Sequence, residues 1–159
     1  MTSGSPTLLL RLARAGLVTG VTDGLFSSAL AAFVYGSGVM RLWQGVASTL
    51  LGAAAFDGGG RTAAIGLAMH FGVAFAWSAI FLALYLSSSL LRDAVASPSG
   101  VLAVASVYGP IIWMVMSLAV IPLLTHRPPA INIRWWVQFV GHIPAVALPI
   151  VAVIGWPHS

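Results

Sequence analysis

GLVTGVTDGLFSS, residues 16–28, sets a glycine at every fourth position beside an aspartate in an otherwise apolar run. The chain has three acidic residues, all Asp, and only Asp23 stands inside a long apolar run. A carboxylate in the hydrocarbon core of a membrane is costly, so it is usually paired, protonated or functional. The segment therefore raises two questions: what packs on the glycines, and what Asp23 does.

The composition of the whole chain is that of a membrane protein. Of its 159 residues, 59% are hydrophobic and 6% are charged, whereas a soluble domain carries about 25% charged residues. Runs long enough to cross a hydrocarbon core of about 30 Å predict four spanning helices, at residues 13–36, 62–91, 100–125 and 134–155. We therefore expect an all-α helical bundle with residues 1–159 as a single transmembrane domain.

One apolar segment, residues 42–56, is too short to cross comfortably. Its fifteen residues would reach about 22 Å as a helix, so we predict an interfacial or re-entrant helix. Counting it as a fifth span stays open, because the distribution of the seven Arg residues fits the positive-inside rule better with five spans than with four.

Small residues recur along the first predicted span at strict four-residue spacing, and this pattern predicts one helix-packing face. Its members are Gly16, Gly20, Gly24, Ser28, Ala32 and Gly36. Small residues at this spacing let two helix backbones approach closely in a membrane. We expect the partner helix to belong either to this chain or to another subunit, and Gly20→Ile to weaken association.

Two histidines fall inside predicted spans at about the depth of Asp23. His70 lies about two turns into the second span and His142 about two turns into the fourth, so an Asp23, His70 and His142 cluster is possible. We keep three interpretations: a structural polar clasp, a proton relay, since histidine titrates near neutral pH, and ligation of haem or a pigment by His70 and His142. No cofactor is otherwise predicted.

Tryptophan and proline residues add to the span assignment. Four indoles near predicted span ends indicate interfacial anchors, namely Trp43, Trp135, Trp136 and Trp156. Trp77 and Trp113 fall near mid-span, where the indole N–H needs a partner. Prolines inside the last two spans predict kinks whose lost hydrogen bonds are repaired by neighbouring helices; they are Pro110, Pro122, Pro144 and Pro149.

Several classes of function are disfavoured. The chain has no cysteine, which excludes disulfides and cysteine-based metal sites. The Arg residues stand singly at span ends rather than along one face, which argues against nucleic-acid binding. No nucleophile–base pair, paired carboxylates or phosphate-binding loop is present, so we predict no enzyme and no metal site. Residues 1–6 lack a basic n-region, so we expect the first span to be retained.

Several motifs resemble a known family. In the last third they are Pro122, Pro128-Pro129, Trp135 and the run Gln138-Phe-Val-Gly141-His142. Upstream they are Trp77-Ser-Ala-Ile-Phe81, Tyr85 and the Gly16/Gly20 pair. Together these resemble the YagU-like bacterial inner-membrane proteins, although Ser27 and Ala31 stand where that family carries a basic and an acidic residue. The resemblance implies a multi-pass protein of the bacterial inner membrane with uncharacterised activity and no catalytic residues.

These observations predict a non-catalytic accessory, packing or assembly subunit of a larger membrane complex, such as a respiratory or photosynthetic one. Its partners would be the lipid bilayer and either other transmembrane subunits or a second copy joined through the first span. The alternative is a small permease or proton-conducting protein that uses Asp23, His70 and His142. A cofactor-holding subunit is the third class.

Overall fold

The protein is an all-α bundle of four long apolar helices. The computed structural model describes residues 5–156, with side chains from residue 7. The elements in chain order are α1 (Ser5–Ala29) with a π-helical turn (Leu30–Val34), α2 (Val39–Leu51) with a 3₁₀ segment (Gly52–Asp57), α3 (Gly59–Ser87), α4 (Ser89–Ala94), α5 (Pro98–Val115) with a π turn (Met116–Val120), α6 (Ile121–Thr125), α7 (Ile133–His142) with a π turn (Ile143–Ala147), and α8 (Leu148–Gly155).

These elements form four candidate membrane spans, and the prediction of an all-α bundle is confirmed. Span 1 is Thr7–Val34, span 2 Gly59–Ser87, span 3 Pro98–Thr125 and span 4 Ile133–Gly155. The predicted boundaries differ from these by at most seven residues. By length and composition the chain is therefore a multi-pass membrane protein. Residues 1–4 and 157–159 of the predicted domain lie outside the described part.

The α2 helix does not cross the bundle. Gly16 faces Phe75 and Gly24 faces His70, so spans 1 and 2 run antiparallel. An additional crossing between them would make them parallel. α2 therefore lies at the end where span 1 finishes and span 2 begins, and the four-span arrangement holds.

The small-residue face of span 1 packs within the chain, against span 2. A Cβ atom added at Gly16 would overlap the Phe75 ring, and one at Gly20 would overlap the Phe71 ring. The glycines thus make room for phenylalanine rings rather than for a second backbone. The contact between two bare helix backbones expected from the spacing is not what forms here.

The predicted face is wrong beyond Ser28. Ala32 is exposed, Ala31 is buried instead, and Gly36 lies past the helix at φ +61° with no atom near its missing Cβ. The cause is the π turn at Leu30–Val34, since an i→i+5 turn adds a residue and rotates the following side chains away from a four-residue spacing.

Gly20→Ile is therefore expected to lower the stability of the single chain by about 1–3 kcal/mol, because the branched side chain displaces the Phe71 ring. Its oligomeric state should not change. Unfolding in mixed micelles and size-exclusion chromatography measure the two effects. Gly72→Ile is the control, since a Cβ at Gly72 meets no atom within 4 Å; equal losses in both variants would refute the assignment.

Two of the predicted interfacial anchors are buried in protein instead. Trp43 is 8% exposed and its ring lies 5.0 Å from that of His70. Trp135 is also 8% exposed and donates from Nε1 to the Ser117 hydroxyl, 2.9 Å away. Composition near a span end did not distinguish these two from Trp136 and Trp156, which are exposed and stay predicted anchors.

Spans 3 and 4 make a close backbone contact beside the centre of the bundle. A Cβ at Gly109 would lie 2.7 Å from the His142 carbonyl oxygen and 2.9 Å from the Ile143 nitrogen. Glycine at 109 therefore lets the backbones of spans 3 and 4 touch where span 4 changes into its π turn. Replacing Gly109 should have one of the largest effects on the stability of the protein.

One proline-freed carbonyl is satisfied by a neighbouring span. Pro149 has no N–H to offer the Ala145 carbonyl four residues earlier, and the Thr22 hydroxyl lies 2.6 Å from that oxygen as its donor. This contact joins span 1 to span 4 and supplies the kind of repair predicted for the kinked spans.

Thr22→Val should therefore cost about 1 kcal/mol of stability, the usual value for one interhelical hydrogen bond in a membrane. Unfolding in mixed micelles measures it. Thr125→Val is the matched control, because Thr125 bonds only to the Ile121 carbonyl of its own helix. A loss in the control as large as in Thr22→Val would contradict the repair.

Candidate functional site

A cavity of about 300 Å³ lies inside the bundle, enclosed by α2 and the four spans. Three of its lining residues are the predicted cluster members Asp23, His70 and His142. The other polar or aromatic ones are Thr19, Ser27, Trp43, Trp77, Trp113 and Gln138. The volume is at the lower end of the range of small-molecule sites.

Asp23 and His70 form a pair at the wall of this cavity. His70 Nδ1 lies 3.7 Å from Asp23 Oδ2, and His70 Nε2 lies 2.9 Å from the Gly20 carbonyl oxygen. A carbonyl only accepts hydrogen bonds, so Nε2 carries a proton. The 3.7 Å between Nδ1 and Oδ2 is too long for a hydrogen bond, and a direct attraction between these two atoms requires a proton on Nδ1 or on Asp23.

Four buried polar atoms around the cavity have no hydrogen-bond partner among the described residues. They are Thr19 Oγ1, Asp23 Oδ1, Trp113 Nε1 and Gln138 Oε1. A buried polar atom without a partner costs about 1–3 kcal/mol. Four of them belong to side chains that line one cavity, and both donors and acceptors are among them.

His142 lines the same cavity but does not join the pair. Its Nδ1 lies 2.7 Å from the Gln138 carbonyl oxygen, which makes Nδ1 the protonated nitrogen and leaves Nε2 as an acceptor in the neutral ring. Its ring packs 4.8 Å from that of Trp113. Within the described residues no hydrogen bond links His142 to Asp23 or His70, so the predicted triad is a pair plus a separate histidine.

Three tryptophans from three different elements form the aromatic part of the wall. Trp43 comes from α2, Trp77 from span 2 and Trp113 from span 3. The Tyr108 hydroxyl donates to the Trp77 carbonyl at 2.8 Å and fixes span 3 beside it. The two mid-span tryptophans predicted from the sequence therefore meet at the cavity.

A second, outer chamber of about 450 Å³ adjoins the cavity on the α2 side of the bundle. The two share Trp113, Ile121 and Gln138 as lining residues. Arg127 and Arg134 line the outer chamber, and the Arg134 guanidinium lies 4.4 Å from the centre of the Tyr35 ring. The three shared residues thus separate the inner cavity from the outer chamber.

The geometry does not favour ligation of haem or a pigment by His70 and His142. His70 uses Nε2 for the Gly20 carbonyl and turns Nδ1 toward Asp23, so neither of its nitrogens is free as an axial ligand. Within residues 5–156 no group of three His, Asp or Glu side chains is arranged to hold a metal ion.

Sequence reasoning missed three polar members of the site, Thr19, Ser27 and Gln138. Thr19 stands four residues before Asp23, and Gln138 four residues before His142, a spacing that puts each pair on one helix face. That spacing can be read from the sequence. The sequence does not predict that Trp43 lines the site, because its position depends on α2 folding back against Gly66, where a Cβ would overlap the Trp43 carbonyl.

Comparison of this chain with protein-family models, with curated proteins and with solved structures finds no significant match. The resemblance to YagU-like proteins stays an expectation from sequence motifs. The function is therefore inferred from the cavity and its residues.

Proposed function

We propose that this membrane protein is a small-solute permease whose binding site is the cavity lined by Asp23, His70 and His142. The observation that carries the proposal is the set of four buried, unpartnered polar atoms on side chains that line one cavity. A purely structural clasp would pair these groups with one another. A binding site instead keeps them unpaired for a guest, at a cost in stability.

The position of the site supports transport rather than surface binding. Asp23, His70 and His142 all belong to the middle parts of their spans, and secondary transporters hold their substrates near the bilayer midplane beside interrupted helices. Span 4 changes to a π turn directly after His142, and span 3 does so at Met116, another cavity residue. Such turns are frequent at functional sites.

Uptake into proteoliposomes tests this proposal. We expect the wild-type protein to accelerate uptake of at least one of methylammonium, glycine and acetate, and Ala74→Leu, which fills the cavity, to abolish it. Ala79→Leu is the matched control, because Ala79 lies on the exposed side of the same helix. Uptake that survives Ala74→Leu, or no uptake of any probe, would refute the permease.

Proton conduction is a second candidate function, and the 3.7 Å between Asp23 Oδ2 and His70 Nδ1 inside the bundle favours it. Asp23→Asn should then abolish acidification of pyranine-loaded liposomes under an imposed potential while the fold persists. A wild-type rate equal to that of protein-free liposomes would remove this candidate without affecting solute uptake.

The accessory or assembly role stays a prediction from the sequence, with weaker support than before. It depended on the small-residue face of span 1, and Gly16 and Gly20 are covered by Phe75 and Phe71 of the same chain. A bacterial inner-membrane location and the absence of catalysis are part of the permease proposal.

A further inference from the structure

We infer that the cavity takes a small organic ammonium ion, bound by Asp23 in the cavity that Trp43, Trp77 and Trp113 also line, and that one proton leaves the Asp23 and His70 pair when the cation binds. The inference rests on the proposed permease function and names its substrate class. It follows from the charge of the cavity, from its aromatic wall and from the balance of protons.

The charge of the wall favours a cation. Among the described lining residues the titratable groups are Asp23 on span 1, His70 on span 2 and His142 on span 4; α2 and span 3 contribute none, and no Arg lines the inner cavity. Asp23 Oδ1 is buried and unpartnered. A carboxylate oxygen accepts hydrogen bonds and attracts positive charge, so an ammonium group can pair with the one unpartnered oxygen of the Asp23 carboxylate.

The aromatic wall favours an organic cation over a metal ion. Ammonium groups are attracted to the faces of indole rings, Trp being the strongest partner, and quaternary ammonium ligands are recognised by cages of such rings. Three indoles from three elements line the same cavity as the Asp23 carboxyl group. Hard metal cations take about six or more oxygen ligands, and the side chains that bring oxygen to this wall are those of Thr19, Asp23, Ser27 and Gln138.

The bound cation replaces a proton, which keeps the cavity neutral. Before binding, the pair holds a proton on His70 Nδ1 or on Asp23 and has no net charge. After binding, the ammonium ion carries one positive charge, Asp23 one negative charge, and His70 keeps only its Nε2 proton on the Gly20 carbonyl. One proton leaves for each cation bound, and the costly burial of a net charge in the membrane is avoided.

Binding of choline to the purified protein, followed by tryptophan fluorescence, tests the inference. The neutral control ligand is 3,3-dimethylbutan-1-ol, which has choline's shape without its charge. We expect saturable binding of choline, release of one proton per choline in weakly buffered solution, and no binding of the alcohol. Asp23→Asn should weaken choline binding by about 100-fold, and Trp113→Leu by about 10-fold.

Matched variants keep the result interpretable. Trp136→Leu removes an exposed tryptophan outside the cavity and should leave choline affinity unchanged, and thermal unfolding checks that every variant is folded. Equal binding of choline and the alcohol, or choline binding without proton release, would overturn the ammonium inference. The permease proposal would still hold in that case if Ala74→Leu blocks uptake. If neither ligand binds and no probe is taken up, both proposals fail.

Discussion

Gly109→Leu is expected to unfold the protein or to lower its stability by about 3 kcal/mol or more. The missing Cβ at this position would lie 2.7 Å from the His142 carbonyl oxygen. That atom is backbone, so it cannot rotate aside as a side chain can, and spans 3 and 4 must separate. Unfolding in mixed micelles measures the loss.

The same substitution should also disturb the cavity, because His142 lies at the point of contact and Trp113 packs on its ring at 4.8 Å. Gly72→Leu is the control on span 2, where an added Cβ meets no atom within 4 Å. A Gly109→Leu protein as stable as Gly72→Leu would contradict the close packing of spans 3 and 4.

Asp23→Leu should abolish choline binding without lowering the stability of the bundle. The loss of binding is expected to exceed about 100-fold, because the charge that faces the ligand is removed from a desolvated site. Stability should hold or rise, since the substitution eliminates a buried carboxyl with one unpartnered oxygen. Fluorescence titration and thermal unfolding of the same samples measure both effects.

The structural clasp makes the opposite prediction for stability. If Asp23 holds the spans together through His70, then Asp23→Leu destabilises the bundle and Asp23→Asn, which retains a hydrogen-bonding group, is nearly silent. Ser78→Ala serves as a reference for the loss of a buried polar group that is fully satisfied, since its hydroxyl bonds to the Ala74 carbonyl. Destabilisation by Asp23→Leu with choline binding intact would refute the binding-site interpretation.

Hydropathy predicted the architecture because the bilayer sets the length of each span. The four runs at residues 13–36, 62–91, 100–125 and 134–155 correspond to the four observed spans. The short run at residues 42–56 became α2 and its 3₁₀ segment. Its place against span 2 depends on Gly66, whose missing side chain admits the α2 backbone, and no local pattern announces that contact.

The periodicity of small residues predicted the packing face of span 1 only while the helix stayed regular. Gly16, Gly20 and Gly24 are buried, whereas the π turn after Ala29 shifted the register and exposed Ala32. A π turn places one more residue in the turn than an α-helix does, so the four-residue spacing no longer marks one face beyond it. The sequence signal for it is weak.

The candidate site was predictable in part from depth alone. Asp23 and His70 were expected at similar depths, and their side chains lie 3.7 Å apart. The same reasoning did not show that His142 uses its Nδ1 for its own helix, at Gln138. The interfacial position predicted for Trp43 and Trp135 was wrong, because an indole near a span end can face either the headgroups or a neighbouring helix.

The central claim is that Asp23 faces a solute-accessible cavity and that the Asp23 and His70 pair gives up one proton when a cation binds. Modification by dicyclohexylcarbodiimide, which reacts with protonated carboxyl groups in apolar surroundings, tests it most directly when read by mass spectrometry at residue 23 in membranes. We predict modification of Asp23 that choline slows and 3,3-dimethylbutan-1-ol does not. An Asp23 that stays unmodified, or is modified at the same rate with and without choline, would contradict the account.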